Sequence, residues 1–114
     1  MTPQTIDAIR KHAEKEFPKE ACGLLCIIRG REKYLPCRNM AGNDEQFILS
    51  CQDYANAEEK GEILAVVHSH PNVPAIPSEA DKTACEASGL TWHIIHVSDE
   101  EGKPIADDIV SFEP

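Results

Sequence analysis

The spacing of apolar positions changes several times along the chain, and each change marks an element. Across residues 2–17 the apolar side chains Ile6, Ile9, Ala13 and Phe17 share one face of a helix. Thr2 suits the N-cap, Pro3 suits the first helical position, and Pro18 closes the segment. The stretch "CGLLCIIRGREKYLPC" holds two β-rich runs around Arg29-Gly30-Arg31, which predicts a hairpin with Gly30 taking the unusual backbone angles. "FILS" predicts a further short strand. Ser50 opens a second helix to about Lys60, ended by Gly61, with a weak apolar face. Residues 63–67 are apolar without a break, the pattern of a central strand covered on both faces, and His68 follows at its end. Ser78 starts a third helix to about Ser88, with Glu79 and Asp81 in its first turn and Gly89 just past its end. "TWHIIHV" and "PIADDIVSF" supply the last strands. The expected fold class is α/β: one domain over residues 1–114, built as a mixed central β-sheet with about three helices packed on it.

Length and charge narrow the partners. A chain of 114 residues holds one core and leaves no room for a second. The formal net charge is −9 with Lys and Arg scattered, so neither a nucleic-acid backbone nor an anionic membrane surface has a basic patch to meet. No stretch combines a basic start with a long apolar run, which predicts a cytoplasmic protein. The five cysteines are odd in number and lack CxxC spacing, the pattern of reduced thiols in a core. Cys85 stands apart from the others by position, one helical turn beyond Asp81.

The chemistry concentrates in "HSHPNVPAIPSEAD", residues 68–81. Two residues apart on a strand, His68 and His70 point to one side with Cα atoms about 7 Å apart, close enough to converge on one metal ion. Asp81 can supply a third ligand, because the proline-stiffened loop turns the chain back and Ser78 starts a helix that carries Asp81 in its first turn. HxH alone fits two core or solvated histidines equally well, and "SEAD" also reads as a capping box. Hydrolysis would further need a carboxylate to handle protons. Glu20, between the first helix and the strand "CGLL", is a candidate; among 20 acidic residues, spacing alone reads it as a surface charge.

Taken together, "KEACGLL", then "HSHP", seven residues from Pro71 to Pro77, and "SEAD" resemble the signature of the JAMM/MPN+ metalloprotease family, with every position filled. The resemblance implies a single MPN domain and a zinc-dependent peptidase or isopeptidase holding one Zn2+ per chain. It implies that His68, His70 and Asp81 bind the metal, that Glu20 holds and deprotonates the water, and that Ser78 donates to the oxyanion. The run "PSEADKTACEASGLTWHIIHV" further resembles bacteriophage tail-assembly proteins of the tail-tip class. That likeness implies a protein or peptide substrate, other tail proteins as partners, and a virion-tail setting. In such proteins a cysteine peptidase of the NlpC type often follows, a domain absent from residues 1–114. Free-standing bacterial enzymes that trim ubiquitin-like sulfur-carrier proteins are also similar.

A non-catalytic scaffold of the same fold is the main rival, although such modules typically lack ligand positions and none is missing here. Two histidines and a carboxylate also match non-haem iron oxygenases, which leaves Glu20 and Ser78 unexplained. A nucleobase deaminase would need P-C-x-x-C, and "PCRNM" lacks the second cysteine. An amidohydrolase barrel needs about 250 residues. Trp92 is expected to be a core aromatic rather than a substrate contact, His93 and His96 to lie on opposite faces of one strand, and His12 to be a solvated surface residue.

Overall fold

In the computed structural model, which describes residues 1–44 and 46–114, the chain runs α1 (Pro3–Glu16), β1 (Cys22–Ile28), β2 (Arg31–Cys37), α2 (Cys51–Lys60), β3 (Glu62–Pro71), α3 (Glu79–Ser88), β4 (Thr91–Glu100) and β5 (Lys103–Phe112). Each helix starts at a hydroxyl residue that satisfies a free backbone donor. Thr2 accepts from the Thr5 amide, Ser50 from Asp53 and Ser78 from Asp81. The hairpin turn takes positive φ at both Arg29 (53°) and Gly30 (77°). A two-residue loop matched to the strand twist needs left-handed angles at both central positions, so Arg29 joins the expected glycine there.

The strands form one sheet in the order β2-β1-β3-β4-β5. Neighbours are antiparallel except β3 and β4, which run parallel because α3 crosses over between them. Helix α1 covers one face, packing Ile9 and Ala13 against Leu25, Val67 and Ile95. The other face takes α2 and α3, whose Ala57 and Cys85 meet Cys22, Leu24, Val66 and Trp92. With β3 central and buried from Ala65 to His70, the two histidines lie within the strand rather than just beyond it.

Three expectations are corrected. "FILS" forms no strand: Leu49 makes a single bridge to Asn39, whose side-chain oxygen accepts from Ala41 and Ile48 amides and so replaces a strand partner. His12 is not solvated, since its side chain is 10% exposed and its Nδ1 lies 2.6 Å from the Tyr34 hydroxyl. Of the five cysteines, all free, Cys51 is exposed rather than in the core. Cys85 is a core thiol that donates to the Leu90 carbonyl at 3.4 Å, its pKa raised by burial. Among the described residues, no helix is long and apolar enough to cross a membrane.

Candidate metal centre

The site lies where β1 begins and β3 ends, on the face shared with α2 and α3. Cys22 pairs with His68 across the antiparallel β1–β3 ladder. Ser69, fully buried, extends that ladder: its amide donates to the Ala21 carbonyl at 3.0 Å and its Oγ accepts from the Ala21 amide at 2.8 Å. Two hydrogen bonds thus fix the residue next to Glu20 against the one between the histidines. One oxygen of Glu20 and a ring nitrogen from each of His68 and His70 lie within 4.8 Å of one another.

Asp81 approaches the two histidines from α3. Its Oδ1 is 3.2 Å from His68 Nε2 and its Oδ2 is 3.2 Å from His70 Nε2. The capping box anticipated from "SEAD" is present, with Ser78 amide donating to Asp81 Oδ2 and Asp81 amide donating to Ser78 Oγ, both at 3.0 Å. Ser78 is exposed, and because its Oγ only accepts in this box, its hydroxyl hydrogen stays free to donate.

These donors fit a metal ion. His70 Nδ1 is 2.9 Å from the Pro74 carbonyl, which can only accept, so that nitrogen carries the proton and Nε2 turns its lone pair toward Asp81. A lone pair facing a carboxylate calls for a cation between them. His68 is 1% exposed, and neither of its ring nitrogens has a hydrogen-bond partner of good geometry. Two imidazoles and a carboxylate are the ligand set of an open zinc site.

Burial pushes His68 toward its neutral form and outweighs the pull of Asp81. Burial also lowers His70, but Asp81, the Pro74 carbonyl and Glu20 together raise it above its ordinary value. The two carboxyls diverge. Burial, opposed by His70 and reinforced by Asp81, raises Glu20 to about 7. Burial opposes the charge on Asp81, but the nearby His68 and His70 imidazoles and the Ser78 amide outweigh it and hold its carboxyl well below the usual carboxylate range. One acid is thus kept charged while the other can exchange a proton near neutral pH.

All five expected site residues, Glu20, His68, His70, Ser78 and Asp81, are therefore brought together. Several neighbours were not legible. Phe47 stacks on His68 with ring centroids 4.6 Å apart, and Trp92 meets the same imidazole edge-on at 5.5 Å. Asn39 donates to the Glu20 carbonyl at 2.9 Å and to the Gln46 carbonyl at 3.3 Å, tying the segment next to Phe47 to the site. A serine inside an apolar strand is a usable signal for Ser69, since a buried hydroxyl demands a partner; nothing local marks Asn39 or Phe47. His93 bonds Ser111 and His96 bonds Asp107, each at 2.7 Å, so neither joins the cluster.

Comparison with known proteins places these features in a family. The family described as prokaryotic homologs of the JAB domain (Prok-JAB) matches residues 2–108. Tail tip assembly protein K of Escherichia phage N15 is 48% identical over 96 residues, covering 83% of this chain and 40% of that protein. The "Probable TtuB-protein conjugate cleaving protease" of Thermus thermophilus is 32% identical over 82 residues, 67% of this chain and 55% of that protein. The chain thus spans less than two thirds of either relative. A protein of Desulfitobacterium hafniense with a known solution structure is 27% identical, with a TM-score of 0.70 over 98% of this chain and 88% of that one.

Proposed function

The chain belongs to the prokaryotic JAB-domain family, and from that premise we propose that it is a zinc-dependent hydrolase of peptide or isopeptide bonds. The convergence of Glu20, His68 and His70 within 4.8 Å, with Asp81 3.2 Å from each histidine, carries this reading. His68, His70 and Asp81 would hold the ion. When bound, zinc supplies the Lewis acidity that makes water a usable nucleophile near neutral pH.

The remaining work falls to the chain itself. Glu20 takes the proton from the attacking water and passes it to the leaving amine. The Ser78 hydroxyl donates to the substrate carbonyl oxygen as it becomes tetrahedral. His70 is held in one tautomer by the Pro74 carbonyl, which keeps Nε2 directed at the centre.

The likeness to the phage N15 protein supports a setting in phage tail assembly with other tail proteins as partners. The Thermus relative, named for cleaving protein conjugates, supports the isopeptidase form of the same chemistry. Glu20→Gln tests the mechanism: it should keep its metal, measured by plasma mass spectrometry, yet lose nearly all cleavage of quenched peptide and isopeptide substrates. Hydrolysis at the parent's rate would remove Glu20 as the base.

A further inference from the structure

A cavity of about 850 Å³ opens over the candidate centre, with Glu20, His70, Ser78 and Asp81 at one end of its lining. Its other walls include Phe47, Leu49, Tyr54, Val66, Ala84 and Trp92. The volume falls in the range of pockets that enclose a ligand, and it far exceeds what a small side chain fills. Its wall also continues directly into the metal centre, because Phe47 and Trp92 both contact the His68 ring. A group seated there lies next to the bond being cut.

Charge limits what that group can be. Among the described residues lining the cavity none is Lys or Arg; besides His70 of the centre, the ionisable carboxyls are those of Glu20, Asp44 and Asp81. Away from His70 an anionic occupant would meet carboxylates with no Lys or Arg to pair with, whereas an uncharged apolar one would cover the aromatic wall.

We propose that this cavity is a specificity subsite for a large apolar side chain, of the leucine or phenylalanine kind, flanking the scissile bond of the substrate peptide. Its meaning as a substrate subsite rests on the hydrolase reading; its ability to bind such a side chain does not. Cys51 provides a readout free of catalysis, since it lines the cavity and is the exposed cysteine of the five.

The test follows the alkylation of Cys51 by iodoacetamide, read by mass spectrometry, on the full chain with four probes: the N-acetyl amides of leucine, phenylalanine, alanine and glutamate. Leucine and phenylalanine amides should slow labelling saturably, at concentrations about tenfold or more below the alanine amide, and the glutamate amide should give no protection. Ala84→Trp, which fills the cavity from an exposed position on α3, should abolish the protection while circular dichroism stays unchanged. Equal protection by all four probes, or by none, overturns the subsite.

A quenched peptide library varied on both sides of the bond then connects binding to cleavage. A leucine or phenylalanine preference at one flanking position, lost in Ala84→Trp, supports the proposal. Cleavage without any such preference overturns it. Selective protection of Cys51 with no peptide cleaved would instead overturn the hydrolase reading and leave the binding pocket standing.

Discussion

In the proposed mechanism Ser78 combines two tasks in one hydroxyl. Its oxygen accepts the Asp81 amide at the start of α3, and its hydrogen is left for a substrate oxyanion. Ser78→Ala should therefore keep its metal, lower turnover on the order of a hundredfold to a thousandfold, and cost about 1 kcal/mol of stability through the lost cap. Turnover, metal content and a thermal melt on the same sample check this, and an unchanged turnover would remove the oxyanion role. His12 yields a pH prediction. Burial lowers its pKa from the ordinary 6.5, with Glu16 opposing and Lys15 assisting. Below that value the unfolded chain takes up a proton that the folded one resists, so stability falls as pH drops from the unfolded pKa through the folded one. The loss of melting temperature between neutral pH and about pH 5 should be smaller in His12→Gln than in the parent. His93 is also lowered by burial, so part of the slope should persist; an identical slope in both proteins would contradict the assignment. At this scale the histidines, Ser78 and Asp81 were readable from a local motif. The burial of His12 was not, because its partner Tyr34 lies on β2 and only the packing of α1 on the sheet brings them together.

Hydrophobic period and capping residues located the three helices and all five strands of the sheet. The one false strand, "FILS", has the right composition, but Asn39 satisfies its backbone and ties it to Glu20 instead. Side-chain chemistry overrode a short apolar pattern. Close packing between β1 and β2 gives a test of the sheet itself. A Cβ on Gly23 would stand 2.5 Å from ring atoms of Tyr34, the residue that covers it from the neighbouring strand. Gly23→Ala should cost about 1–3 kcal/mol by overpacking, seen as a lower urea midpoint with an unchanged slope. A midpoint equal to the parent's would mean that Tyr34 has another place to go. Glu20 belongs to this scale too. Its nearness to His70 follows from the β1–β3 register locked by Ser69, which no spacing in the sequence reveals.

For the whole molecule, the α/β class followed from the alternation of elements, whereas the strand order β2-β1-β3-β4-β5 depends on pairings between distant segments. That order brings the start of β1 beside the end of β3, and α3 crosses over to carry Asp81 to the same point. The loop that completes the apolar cavity comes from yet another segment, held by Asn39. Four separated stretches of chain thus converge on one centre, where we propose that His68, His70 and Asp81 hold one zinc ion. Plasma mass spectrometry on protein purified without chelator, beside His70→Ala, tests it most directly. The expected result is close to one zinc per chain in the parent and almost none in the variant. A parent that binds no metal even after zinc is added back, or a variant that keeps its full share, would contradict the account.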